Sequence, residues 1–129
     1  MTPLAVAKAF VHYINAHDVD GLAGVMTEDH RFVDSLGQVV TGRESMRAGW
    51  LGYFGMVPDY QLAIESWLCE GQVVVALGKA GGTYSPDSVR GPSREWSCPA
   101  ACCAVVRGTL VEEWRVYADN EPLRRLIRA

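Results

Sequence analysis

The chain has no apolar run approaching the ~20 residues that a membrane-crossing helix needs. Its start, Met1-Thr2-Pro3-Leu4-Ala5-Val6-Ala7-Lys8, lacks the basic opening and long apolar stretch of a secretory leader, so a cytoplasmic protein is expected. Basic clusters are missing as well. Twelve Lys and Arg stand scattered against 15 Asp and Glu, for a net charge of -3, and this leaves no electrostatic footprint for nucleic acid or an anionic membrane. There is no Cys-x-x-Cys and no His/Cys cluster at zinc spacing, so no structural metal is expected. Cys69, Cys98, Cys102 and Cys103 then read as reduced, small core residues. Internal repeats, linkers and low-complexity tracts are also absent.

What is present is enough for one domain over residues 1–129: 49% of the residues are hydrophobic, which supports a core of useful size. Thr2 can cap and Pro3 can start a first helix in which Leu4, Ala7, Val11 and Ile14 recur at helical spacing, widened by Phe10 and Tyr13. Asp18 can cap a second, short helix through Gly21 to Met26, and Thr27 to His30 read as a turn into a strand that ends at Asp34. Ser35 to Gln38 form a turn with Gly37 free for a positive φ, and Thr41-x-x-Glu44 reads as a capping box for a helix from Arg43 to about Gly55. Met46, Trp50 and Phe54 step along that helix by four.

Strands follow. Tyr60 to Glu70 alternates with Leu62, Ile64 and Leu68 on one face, and Gln72 to Thr83 places Val73, Val75 and Leu77 together. Residues 85–93, Ser-Pro-Asp-Ser-Val-Arg-Gly-Pro-Ser, form a breaker-rich surface loop that is expected to be mobile. Arg94 to Arg107 is a long strand in which Pro99 demands an edge or a bulge; Leu110 to Tyr117 is the last strand. Glu121 to Ile127 closes the chain as a short helix with Leu123, Leu126 and Ile127 inward. Helices first and strands after give an α+β layout: a cone-shaped, curved antiparallel sheet wrapped around about three N-terminal helices, with a ligand pocket between the two.

Two segments carry a resemblance. Asp34-x-x-Gly37-Gln38 followed by Gly42-Arg43-Glu44 resembles the ketosteroid isomerase pattern of the nuclear transport factor 2-like (cystatin-like) superfamily. Val111-Glu112-Glu113-Trp114-Arg115-Val116-Tyr117-Ala118-Asp119 is similar to the closing segment of SnoaL-like polyketide cyclases. The resemblance implies a cofactor-free isomerase or cyclase acting on a small cyclic or polycyclic molecule in an apolar pocket, with a homodimer formed through the outer sheet face. It aligns Asp34 with the general base that shuttles a proton beside a carbonyl, and Tyr13 with the tyrosine that donates to the substrate oxyanion. Trp50 falls where a supporting tyrosine stands, and Cys102 where the second donor, a protonated Asp, stands. A thiol is a weak donor, so steroid isomerisation lacks part of its oxyanion support. The resemblance also turns Glu113, Arg115 and Tyr117 toward the cavity, although the cyclases carry His and Asp at the first two positions.

Read as residues alone, Asp34 is equally a turn residue accepting backbone N–H groups, and Tyr13 a core tyrosine. Trp50 and Phe54 read as pocket wall, Glu113 and Arg115 as an ion pair able to anchor a polar group or activate water, and His12, His17 and His30 as solvated. Trp114 and other outward apolar residues are the motive for a homodimer. Two further functions therefore stay open: a non-catalytic ligand-binding or dimerisation module, and water chemistry of the epoxide-hydrolase or dehydratase kind.

Overall fold

The computed structural model describes residues 1–86 and 94–129. The first helix, α1 (Pro3–Ala16), opens as expected: the Thr2 hydroxyl accepts from the Ala5 N–H at 3.1 Å, and Pro3 stands where an N–H would have no helical partner. Its buried face is Val6, Ala7, Phe10, Val11 and Ile14. Asp18 caps α2 (Val19–Gly24) by accepting from the Gly21 N–H at 2.9 Å. Gly21 is needed there, because a Cβ would come within 2.5 Å of the Tyr13 ring.

Strand β1 (Met26–Val33) begins two residues after α2, so Thr27 to His30 are strand, not turn. Their polar sequence hides a strand whose pairing is supplied from both flanks, by β2 and by the distant β6. The turn after Val33 returns the chain as the short edge strand β2 (Val39–Thr41). Helix α3 (Arg43–Met56) has Gly42 at its N-cap and no side-chain capping bond. The expected capping box is therefore not formed: Thr41 is committed to the ladder opposite Arg31, and Glu44 instead accepts from Arg47 Nε at 3.0 Å.

Strands β3 (Gln61–Glu70), β4 (Val73–Thr83), β5 (Glu95–Arg107) and β6 (Leu110–Ala118) complete a curved, open sheet of order β2-β1-β6-β5-β4-β3, and α4 (Glu121–Arg128) follows. The fold is α+β. One pair departs from the expected antiparallel pattern: β1 and β6 run parallel, since no hairpin joins them and no turn sets their relative direction. A bulge between Ile64 and Ser66 shifts the parity of β3, so Leu62 faces the core while Leu68 faces out, 58% exposed. Pro99 pairs with Lys79 just past the end of the β5–β6 ladder, which begins at Ala100, so its flank there is an edge as expected. In α4, Leu123 is buried, but Ile127 is exposed rather than inward.

The two sheet faces follow from register. One row is Val33, Arg115, Cys103, Val75 and Leu68; the next on the same face contains Arg31, Glu113, Val105 and Val73. The opposite face, with Phe32, Trp114, Ala104 and Val74 in one row, meets the helices, and Phe10 stacks on Trp114 at 4.6 Å. Trp114 is 1% exposed, so the tryptophan expected on the outside is core. Alternation along β6 has the expected period, with the opposite face turned inward.

Ser85, expected in a surface loop, is buried, and its N–H donates to the Met56 carbonyl at 2.8 Å. The rest of the expected mobile loop, residues 87–93, lies outside the described residues. Among the described residues no helix is long and apolar enough to cross a membrane.

Candidate functional site

Of the inner-face positions of the sheet that line one hollow, three are alanines, Ala80, Ala100 and Ala118, and a fourth is Cys102. Above them, α3 turns Met46, Gly49, Trp50 and Tyr53 inward. Short side chains on the sheet and rigid rings on the helix cannot close the gap, and a cavity of about 300 Å³ remains. Phe32, Tyr60 and Trp114 add further ring surface. Phe32 meets Trp50 edge-on (6.0 Å, 78°), as do Trp50 and Tyr53 (6.2 Å, 90°) and Tyr53 and Tyr60 (5.0 Å, 83°). Edge-to-face contacts hold such rings in a fixed arrangement.

The polar groups of the wall gather at the end of β1. Asp34 lines the cavity and is also a turn residue: its Oδ1 accepts from the N–H groups of Leu36 and Gln38, both at 2.9 Å. Gly37, at φ 82°, donates its N–H to the Asp34 carbonyl at 3.0 Å. The Asp34 carboxylate is thus held on a rigid base, with Oδ2 outside the turn's hydrogen bonds. Ser35 and Asn120 line the cavity beside it, Asn120 Nδ2 donating to Ser35 Oγ at 3.2 Å. Asn120 Oδ1 in turn accepts from the Cys98 thiol at 3.8 Å.

Burial raises the phenol pKa of both Tyr53 and Tyr60, with smaller contributions from neighbouring groups. Burial likewise pushes the Cys102 thiol up to about 12, with Cys103 adding to it. At neutral pH these three groups keep their protons, so they serve as donors or as wall, and Cys102 is not a thiolate nucleophile. Among the described residues that line the cavity, Asp34 is the one carboxylate, and no Lys, Arg or His is among them. Among the described residues no group of three His, Cys, Asp or Glu side chains is placed to hold a metal.

Of the residues singled out in the sequence, Asp34, Trp50 and Cys102 line the cavity. Tyr13 does not line the cavity: its ring lies against Gly21 and edge-on to His12. Phe54 is one helical step too far round α3 and stacks on His17 at 4.2 Å. Glu113, Arg115 and Tyr117 share a face as expected, but it is the outer one. There Glu113 pairs with Arg31 at 3.1 Å and Arg115 at 3.5 Å, while Tyr117 is 59% exposed. His30 is fully buried rather than solvated, its Nδ1–H donating to the Val111 carbonyl at 2.8 Å.

Tyr53, Tyr60, Ser35 and Asn120 were missed. Tyr53 had a signal, since it lies three residues beyond Trp50 on the same helical stripe. Asn120 had none, because its contact with Ser35 spans 85 positions of the chain.

Comparison with known proteins bears on the fold. The sequence profile of the SnoaL-like domain matches residues 7–116. No curated protein matches the chain. Among solved structures, a candidate SnoaL-like polyketide cyclase from Shewanella denitrificans OS-217 superposes with a TM-score of 0.83 at 16% identity, over 98% of this chain and 96% of that one. A candidate SnoaL-like polyketide cyclase from Jannaschia sp. CCS1 gives a TM-score of 0.83 at 20% identity, over 98% and 92%. A protein of ketosteroid isomerase-like fold from Catenulispora acidiphila DSM 44928, solved in complex with trimethylamine, gives 0.74 at 18% identity, over 87% and 83%. At these identities the likeness is one of fold. With the profile covering most of its length, the chain belongs to the SnoaL-like domain family.

Proposed function

We propose that the cavity receives a small, neutral cyclic molecule carrying a carbonyl group, and that Asp34 takes a proton from the carbon beside that carbonyl without a cofactor. The observation that carries this reading is the composition of the wall: mostly apolar and rich in aromatic rings, with one carboxylate and no basic side chain among the described lining residues. An anion would meet the Asp34 charge in apolar surroundings with no cation to offset it, whereas a flat neutral molecule matches the rings. In the proposed step the C–H electron pair moves into the carbonyl, forming an enol or enolate, and the proton passes to the Asp34 carboxylate. Returning it to a different carbon isomerises the molecule; attack of the enolate carbon on a second carbonyl closes a ring.

One observation favours a second reading, a binding module without chemistry. Asp34 Oδ1 is committed to the Leu36 and Gln38 N–H groups, which is the role of a turn aspartate. Water chemistry has less support, because Glu113 and Arg115 stand on the far face of the sheet and leave the cavity without an arginine. The motive for a homodimer moves from Trp114 to the exposed outer-face residues Leu68, Val73, Leu77 and Tyr117, and a second copy is the proposed partner there.

The experiment is deuterium uptake from heavy water into carbonyl-adjacent positions of a panel of cyclic ketones, with native protein and Asp34→Asn. Uptake by the native protein that falls at least about a hundredfold in the variant, as removal of a general base predicts, supports the enzyme. Binding of panel members by both proteins with no uptake by either would leave the binding module standing and discard Asp34 as a base.

A further inference from the structure

Taking a proton from beside a carbonyl leaves charge on the carbonyl oxygen, and a hydrogen-bond donor placed at that oxygen lowers the barrier. Tyr13 is not in the wall, so another group must supply the donor if Asp34 acts as proposed. The polar corner contains one whose hydrogen is uncommitted. A serine hydroxyl offers one hydrogen and two acceptor sites. Ser35 Oγ accepts from Asn120 Nδ2 at 3.2 Å, and no hydrogen bond donated by Ser35 Oγ is found among the described residues.

Asn120 is placed for this and for little else. It stands at the N-cap of α4, a position where an asparagine side chain ordinarily accepts from the helix N–H groups, yet it makes no capping bond. Its amide is turned to Ser35 and Cys98 instead. The Cys98 thiol, kept protonated by burial, donates to Oδ1, and this orients the amide so that Nδ2 faces Ser35. The chain leaves the strand after Val33, so the usual alternation stops and the consecutive residues Asp34 and Ser35 both line the cavity. A proton acceptor and a hydrogen donor thus stand side by side.

We infer that Ser35 is the donor that holds the carbonyl oxygen of the ligand, and that Asn120 is the positioning residue that turns the Ser35 hydroxyl into the cavity. This rests on the reading of the cavity as a carbonyl site. It assigns the ligand class more narrowly: a cyclic ketone whose acidic C–H adjoins its carbonyl, so that Asp34 and Ser35 engage neighbouring atoms.

The probe is 2-tetralone labelled with ¹³C at the carbonyl, followed by infrared difference spectroscopy and by titration calorimetry. The bound carbonyl band of the native protein is expected at lower wavenumber than that of Ser35→Ala, and affinity should drop about 3- to 10-fold in that variant, the range for one neutral hydrogen bond. Ser35→Thr should restore the band. Asn120→Asp should give the Ser35→Ala band, because a carboxylate only accepts and draws the hydroxyl hydrogen to itself. A change that merely loosened the fold would not move the band back in Ser35→Thr. A band that stays put in Ser35→Ala, with 2-tetralone still bound, overturns the inference and leaves the cavity reading intact. Failure of the native protein to bind 2-tetralone or any other cyclic ketone of the panel removes the cavity reading and this inference with it.

Discussion

The inner face of the sheet is covered in two halves that differ in one property. Under α1, Val6, Phe10 and Ile14 share one core cluster with Trp114, Val106 and Val74, Phe10 stacking on Trp114, and all of these are almost completely buried. Under α3 the facing sheet positions are Ala80, Ala100 and Ala118, and a cavity remains. Backbone geometry is shared, since β4, β5 and β6 contribute to both halves. What covers the sheet separates core from site: Ala76 and Ala104 are closed over in the filled half, whereas Ala80, Ala100 and Ala118 face a cavity. A rigid ring above an alanine cannot relax into the gap, so the space persists at the cost of dispersion contacts that the filled half makes.

Truncation and filling should therefore act oppositely in the two halves. Phe10→Ala, in the filled half, should lower stability by about 3–5 kcal/mol in urea unfolding, as large-to-small changes of buried aromatics do. Ala100→Leu, in the hollow half, should change stability by less than about 1.5 kcal/mol, while abolishing uptake of ring-sized ligands in calorimetry. Similar stability losses from both would erase the distinction.

His30 makes the filled half acid-sensitive. It is buried against Phe10, with Nδ1 bonded to Val111 and Nε2 without a partner among the described residues. Burial lowers its pKa below the ordinary 6.5, only partly offset by the Val111 hydrogen bond and by the charges of Glu113 and Asp29. Above pH 6.5 folded and unfolded chains are both neutral at this site. As pH falls through 6.5 toward the folded value, the unfolded chain takes up the proton first, so stability is progressively lost. Urea midpoints between pH 7 and 5 should decline in the native protein and decline less in His30→Leu.

A smaller effect tests the rim of the hollow half. Gly37→Ala must place a side chain at φ 82°, costing about 1–2 kcal/mol, and any proton transfer by Asp34 should weaken with it because the same turn holds the carboxylate. Smallest for the isolated fold is Leu77→Glu on the outer face, within about 0.5 kcal/mol of native. Sedimentation should nevertheless show it shifting a dimer to monomer; a native chain already monomeric would dismiss the outer-face pairing.

Much of the fold was legible. Thr2 and Asp18 marked helix starts, Gly37 marked the turn, and periodicity separated helix from strand, because caps, turns and side-chain periods are properties of a few neighbouring residues. Asp34 and Trp50 are legible for the same reason, since a strand end and a helical stripe locate them, whereas Cys102 is reached only through the family resemblance. The errors share a cause of longer range. Tyr13 and Phe54 lie on helical faces that are apolar whichever neighbour they meet. Glu113, Arg115 and Tyr117 alternate in the same way whether they face the cavity or the outside.

The sequence by itself determined the order of helices and strands, the turn that holds Asp34, and the small and large residues from which the cavity is made. Only the tertiary structure decided which side of β6 is inside, that β1 lies parallel to it, and that Ser35, Asn120 and Cys98 meet. The physical reason is register: a shift of one residue in a ladder sends every side chain of a strand to the other face, and the partner that fixes the register lies far along the chain.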